Sequence, residues 1–418
     1  MPRPYLSLLS GVAVAVVAVL AVVGMSGLPT AEATARSTHG VHELRAQTSM
    51  AQARAQASRS RAARKRAAAK RRARGRLRKV SSPMGDPSMA LRFGAYPWAG
   101  VGTIDAADAA NPDDPARAMA AVKRLQGDRS FVVHLYGEYT GTDPGAADHL
   151  MSDARWWSDA GVQVEMVLRF RPARTALAAG FTPWVRSVTR RLAGLPGLVA
   201  IQIGNEPNNT GSKAAADGAY RGAVTAIARA IPAASAELRT ARRRDVGVGF
   251  NWAAGASPCT TESMWSRLRR DGGRAFTSAV DWVGVDVYPG TWSAPSRSAT
   301  PTASLIDDTV TSALRCLRTK HLPAAGLGSA TTITVAETGY PTDPTRSETA
   351  QRNALVGIVD AVQRVQARYG VTDLRWFSLR DANTASGQLE NGYGLLRDDY
   401  APKAGFETFR SLVATRGR

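Results

Sequence analysis

Two glutamates, each closing an apolar run, are the residues of this chain best placed to do chemistry. Glu206 closes the run from Leu198 that ends Gly204-Asn205-Glu206-Pro207, and Glu337 closes the run from Ile333 that ends Thr338-Gly339-Tyr340-Pro341. Each run has the length and content of a short buried strand halted by a Gly/Pro turn. A carboxylate at such a stop sits on the rim of a sheet, where loops build clefts. The two glutamates are 131 positions apart, so only a closed or strongly curved sheet brings them together. Two carboxyl groups facing each other across a cleft are the minimal apparatus for breaking a glycosidic bond.

The elements that must carry them follow a regular rhythm from Ala90 onward. Apolar runs fall at Leu91–Tyr96, Ser130–Tyr136, Val162–Phe170, Leu198–Gly204, Val246–Trp252, Trp282–Tyr288, Thr332–Ala336 and Leu374–Leu379. Helical patterns lie between them at Pro115–Leu125, Asp148–Ala160, Thr182–Leu195, Ala214–Ile231, Thr302–Arg318 and Glu348–Tyr369, with a last one at Gly405–Ala414. Alternating strand and helix predicts an α/β fold with a parallel sheet, and eight units predict a (β/α)8 TIM barrel over residues 85–418. Glu206 then ends the fourth strand and Glu337 the seventh, both at the C-terminal mouth. A doubly wound open sheet would want a Gly-rich nucleotide turn after its first strand; Gly94-Ala95-Tyr96-Pro97-Trp98 is no such turn.

The rest of the chain is of a different character. Residues 1–33 join Arg3, an apolar stretch from Leu6 to Val23 and the small-x-small site Ala31-Glu32-Ala33. They predict a signal peptide or, uncleaved, a membrane anchor, and hence an extracellular or envelope-associated body. Residues 34–84 form a basic Ala/Arg-rich linker too poor in large apolar groups to fold. Of the net charge of +20, thirteen units lie between Gln52 and Lys79 with no acid among them. Residues 52–79 are therefore an expected tether to an anionic cell-envelope polymer or lipid. They lack the interleaved aromatics of a single-strand stacking platform, so no specific nucleic acid is expected. The apolar fraction of 44% supports a sizeable core. Cys259 and Cys316, the only cysteines, are either one disulfide in an exported chain or two buried thiols. Neither they nor the five histidines show metal-ligand spacing, and no metal or cofactor is expected.

Around the two glutamates, several side chains invite a substrate role. Asn205 offers a hydrogen bond to a sugar hydroxyl. Tyr288 brings a phenol to the same rim from the sixth strand, and Trp376 a flat face from the eighth. His134 on the second strand is read either as a site residue or as a satisfied core histidine. Trp98, Trp252 and Trp292 follow strands one, five and six and line either the cleft or the core. Asp286 is a further rim carboxylate, able to replace one of the pair, and Glu138 is another, of surface or substrate-contacting kind.

The motifs Gly204-Asn205-Glu206-Pro207 and Ala336-Glu337-Thr338-Gly339-Tyr340-Pro341 resemble the strand-four and strand-seven motifs of clan A of the glycoside hydrolases, over roughly residues 91–412. That resemblance implies a retaining (β/α)8 glycosidase acting on a carbohydrate by double displacement. It implies Glu206 as acid/base, Glu337 as nucleophile, Asn205 on the sugar 2-hydroxyl, Tyr288 on the nucleophile and Trp376 as a stacking platform. The segment after Glu337 is similar to that of endo-acting β-1,3-glucanases and β-galactanases, without choosing between families. One departure stands out: many members carry an Arg on strand two, whereas Phe131-Val132-Val133-His134-Leu135-Tyr136 has none. His134 takes its place in this reading, or Arg169 or Arg171 reaches over. The alternative to an enzyme is a barrel that binds glycan without cutting it.

Overall fold

The computed structural model describes residues 90–99, 110–143, 145–293 and 301–418. The segments 1–33 and 34–84, with the expected tether 52–79, lie outside the described residues. Eight parallel strands close into a barrel: β1 (Arg92–Ala95), β2 (Phe131–Tyr139), β3 (Gln163–Phe170), β4 (Leu198–Ile203), β5 (Gly247–Ala253), β6 (Trp282–Asp286), β7 (Thr332–Thr338) and β8 (Val371–Trp376), with β8 pairing back onto β1. A helix follows each strand: α1 (Pro115–Gln126), α2 (Ala146–Asp159), α3 (Phe181–Leu192), α4 (Ala223–Thr240), α5 (Ser263–Ala279), α6 (Ala303–Cys316), α7 (Glu348–Tyr369) and α8 (Ala404–Arg416). Local chemistry sets several starts. The Asp114 carboxylate accepts the Arg117 N–H ahead of a Pro at N1 of α1, and the Ser347 hydroxyl accepts the Ala350 N–H at the start of α7, satisfying backbone donors the helix itself leaves free. Among the described residues no helix is long and apolar enough to cross a membrane.

Most apolar side chains lie between the strands and the helices. Phe93, Phe131 and Trp376, for example, pack on Phe409 of α8. The alternate residues, which face the barrel axis, are largely polar. Arg375 is fully buried there. Its guanidinium donates to Glu165 Oε2 (Nη2, 2.8 Å), to Asp373 Oδ1 (2.9 Å) and to the Arg92 carbonyl (3.0 Å). Arg92 Nε reaches the same Asp373 at 2.5 Å. Burial alone would raise the Asp373 carboxyl, but the charges of Arg92, Arg375 and Arg418 outweigh it and hold it down at about 2. Two glycines make room for these interior groups. A Cβ on Gly94 would stand 2.3 Å from the Val132 carbonyl and 2.7 Å from Arg375 Cδ, and one on Gly249 would enter the Trp282 ring.

Some elements depart from the sequence pattern. β2 runs three residues past its expected end, to Tyr139, and β8 begins at Val371 and stops at Trp376. α4 starts at Ala223 because the segment before it is drawn into a loop by Asp217, whose carboxylate accepts the Phe170 and Asn205 N–H groups. α5 was not anticipated at all, its apolar pattern diluted by arginines and broken by Gly273 at φ 55°. Cys259 and Cys316 are paired, Cα–Cα 5.2 Å, joining the β5–α5 loop to the end of α6.

The interior ion network makes a stability prediction. R375A leaves Glu165 buried without its arginine and takes from Asp373 one of the three arginines that hold it, and should cost about 3–5 kcal/mol in chemical denaturation. Asp373, depressed by the network, contributes stability present above its ordinary range of about 4 and lost as pH falls through about 2. An unchanged unfolding midpoint in R375A would show that the network does not hold the barrel.

Candidate active site

β4 and β7 end side by side with their neighbours at the C-terminal mouth, and their terminal carboxyl groups meet there. One carboxylate oxygen from each of Glu206, Asp286 and Glu337 lies within 4.8 Å of those of the other two. The backbone is bent to achieve this: Gly204 has φ 80° and Glu206 itself φ 46°, a left-handed conformation that costs a side-chain-bearing residue about 1–3 kcal/mol. The surroundings hold it in place. The Glu206 N–H donates to Asn251 Oδ1 at 2.7 Å, Asn251 Nδ2 donates to Asn205 Oδ1 (2.8 Å) and Asp286 Oδ2 (2.5 Å), and Asn209 Nδ2 donates to Glu206 Oε2 at 2.8 Å.

The two carboxyl groups have different surroundings. Burial first, then the charge of Glu337, pushes the Glu206 carboxyl up to about 8. Glu206 is thereby kept protonated at neutral pH. Glu337 instead receives two phenol donors: Tyr288 Oη donates to its Oε2 at 2.8 Å, and Tyr136 Oη donates to its Oε1. Donors of this kind stabilise a carboxylate. Asp286 is buried, and burial followed by the charges of Glu337 and Glu206 raises its carboxyl well above the ordinary range. Among the described residues these three acids are the one group with ligand spacing for a metal.

Five aromatic rings surround Glu337. Tyr136 meets Tyr96 edge-on at 5.4 Å, Tyr96 stacks on Phe377 at 5.2 Å, Phe377 meets Tyr393 at 6.1 Å and Tyr393 meets Tyr288 at 5.7 Å. The ring begins and ends on the two phenols that donate to Glu337. Trp292, 41% exposed, adjoins it through a hydrogen bond to Tyr393.

The expected site residues fall into two groups. Glu206, Glu337, Asn205 and Tyr288 come together at the mouth. The Asn205 side chain donates one N–H to the Ala215 carbonyl and its oxygen accepts from Asn251, bonds that hold it in the turn. Trp376, Trp252, Trp98 and His134 are corrections. Side chains alternate along a strand; Arg375 faces the axis, so Trp376 faces α8 and is fully buried, and Phe377, one position on, takes the cleft side. Trp252 likewise points outward from β5 onto Trp265 and His321. Trp98 lies on α2, bonded to Asp153 and packed on Trp156 and Trp157. His134 is buried beneath the site, with Nδ1 on Glu165 and Nε2 on Tyr136, each at 3.0 Å. No bond from Arg169 or Arg171 reaches Glu337; they hold Glu138 instead. Tyr136, which donates to Glu337, is a candidate site residue that the sequence pattern does not single out. Its signal was a phenol two residues after His134, hence on the same face of β2.

No family model matches the chain, and no curated protein matches its sequence. Solved structures do. One of two fungal β-1,4-galactanases matches with a TM-score of 0.52 at 16% identity, over 77% of this chain and 100% of that one. A β-glucosidase, 1317, matches at 0.50 and 17%, over 72% of this chain and 87% of that one. A β-glucuronidase from Ruminococcus gnavus matches at 0.46 and 13%, and the chain spans 49% of it. At these identities the likeness to the first two is one of fold: the chain has the eight-stranded barrel in which those glycosidases are built.

The continuous path Asp373–Arg375–Glu165–His134–Tyr136–Glu337 makes Tyr136 a test of the site. Y136F removes one donor from Glu337 and leaves His134 Nε2 without its partner. On a β-glycoside that the parent hydrolyses, kcat/KM should fall about 10- to 100-fold, the equivalent of one charge-assisted hydrogen bond, with the loss mainly in kcat. Equal rates in Y136F and parent would remove Tyr136 from the machinery.

Proposed function

We propose that this chain is a retaining β-glycosidase of the clan A type, hydrolysing a β-linked oligosaccharide or polysaccharide by double displacement. One observation carries the reading: carboxyl groups from β4 and β7 converge at the barrel mouth within 4.8 Å, oxygen to oxygen, one raised toward its acid form and the other bearing two phenol donors. Retaining enzymes need carboxyl groups about 5–5.5 Å apart, whereas inverting ones leave a gap for water.

The chemistry follows from the geometry. A Glu337 oxygen attacks the anomeric carbon as the bond to the leaving oxygen breaks, and Glu206 gives that oxygen its proton. Water then adds to the anomeric carbon, Glu206 takes the water's proton, and Glu337 departs as a carboxylate. Phe377 and Trp292 supply apolar faces for sugar rings.

A panel of aryl β-glycosides and β-glycans tests this. The parent should release sugar whose first-formed anomer matches the substrate, and E337Q should lose at least about three orders of magnitude in kcat. Because Glu206 works first as an acid, kcat/KM should fall as pH rises through about 8, by about tenfold per pH unit beyond it. An inverted product sinks the mechanism. A parent that binds glycan and releases nothing would favour the glycan-binding alternative.

On sequence grounds the proposal extends to export of the barrel and its tethering by the basic segment. Deleting residues 34–84 should then free the protein from an anionic envelope fraction in a sedimentation assay while hydrolysis continues. Retention of the deleted form on that fraction would refute the tether.

A further inference from the structure

A cavity of about 600 Å3 lies beside the Glu206 loop, within the range of about 300–1,000 Å3 of small-molecule sites. Its wall begins with Pro207 and Asn208, the two residues after Glu206, and continues through Tyr220 and Arg221 before α4 and through Glu262 and Arg267 at the start of α5. Arg221 is exposed and Arg267 half-buried. Among the described residues neither makes an ion pair with an acid. Asp271, one turn beyond Arg267, feels its charge but has its oxygens hydrogen-bonded by Thr225 and Arg270. The acid in the wall, Glu262, turns both oxygens to the Trp252 indole N–H at 3.0 Å, and burial raises its carboxyl toward the neutral form. The two helices that open onto the cavity, of 18 and 17 residues, have no side-chain hydrogen bond at their N-caps, so their positive ends add to the field of the arginines.

We propose that this cavity is a leaving-group subsite for a negatively charged sugar, whose carboxylate or sulfate is held by Arg221 and Arg267. The assignment rests on the glycosidase reading above, which fixes the side. Glu206 protonates the departing oxygen, so the residues that directly follow Glu206 flank the sugar that leaves. The five aromatic rings around Glu337 flank the sugar that stays. Guanidinium groups suit both anions because their N–H donors match paired oxygens. Acidic β-glycans are thereby the substrate class.

The test separates this inference from the reading it rests on. Aryl β-glycosides, whose leaving group is not a sugar, report whether the barrel hydrolyses at all. In the E337Q background, titration calorimetry compares four oligosaccharides: an aldouronic acid from glucuronoxylan, a chondroitin sulfate tetrasaccharide, cellotetraose and galactotetraose. At least one acidic ligand should bind more tightly than both neutral ones, with affinity that weakens as salt rises. R221Q and R267Q should each reduce that affinity about tenfold, the size of one charge-assisted hydrogen bond, and should cut kcat/KM on the matching polymer by a similar factor. Preference for the aldouronic acid identifies a carboxylate, and preference for the chondroitin ligand with loss on desulfation identifies a sulfate. Equal affinity for acidic and neutral ligands, or acidic binding indifferent to both arginine changes, overturns the subsite while aryl-glycoside hydrolysis leaves the enzyme reading standing. No aryl-glycoside hydrolysis overturns the enzyme reading itself.

Discussion

The inside of this barrel is held by charge, where barrel interiors are commonly filled by branched aliphatic side chains. Arg375 stands fully buried between Glu165 and Asp373, with Arg92 on the same Asp373 oxygen. Ions taken out of water are stable only when every partner is in place, so the network fixes the relative positions of β1, β3 and β8. It also reaches upward. Glu165 holds His134, His134 holds Tyr136, and Tyr136 donates to Glu337. The orientation of the carboxylate at the mouth is thus tied, bond by bond, to the charges packed below it.

The two glutamates are held by different means. Glu337 lies near the end of β7, where the pairing with β6 and β8 shifts register, and is oriented by side chains, the two phenols at either end of the aromatic ring. Glu206 is oriented by backbone: a turn through Gly204 and a left-handed φ, fixed from beside it by Asn251 and Asn205. Asp286 joins the two systems, accepting from Asn251 on one side and lying against both glutamates on the other. Burial and the two neighbouring glutamates disfavour the charged form of Asp286 in that position.

The strands were readable because each is a short apolar run between Gly/Pro signals, and the pairing of Glu206 with Glu337 followed once eight such runs were counted. What could not be read was which side of its strand each residue faces. Shifting a strand by a single position exchanges its two faces, and that is the whole difference between Trp376, buried under α8, and Phe377, in the cleft. The same parity sends Trp252 outward and brings His134 and Tyr136 inward. The start of α4 was hidden because Asp217 binds backbone of β3 and of the Glu206 turn, a long-range bond that local helix propensity does not register. In α5 the glycines and arginines blur the period from which a helix is recognised.

The left-handed backbone at Glu206 carries a consequence for how such a chain can change. A glycine there would relax the turn at no steric cost, yet it would delete the acid. Improvements to the resilience of the fold are therefore accessible at the very residue that the proposed reaction forbids altering. A sturdier turn and the proposed turnover therefore make opposite demands on this one peptide unit.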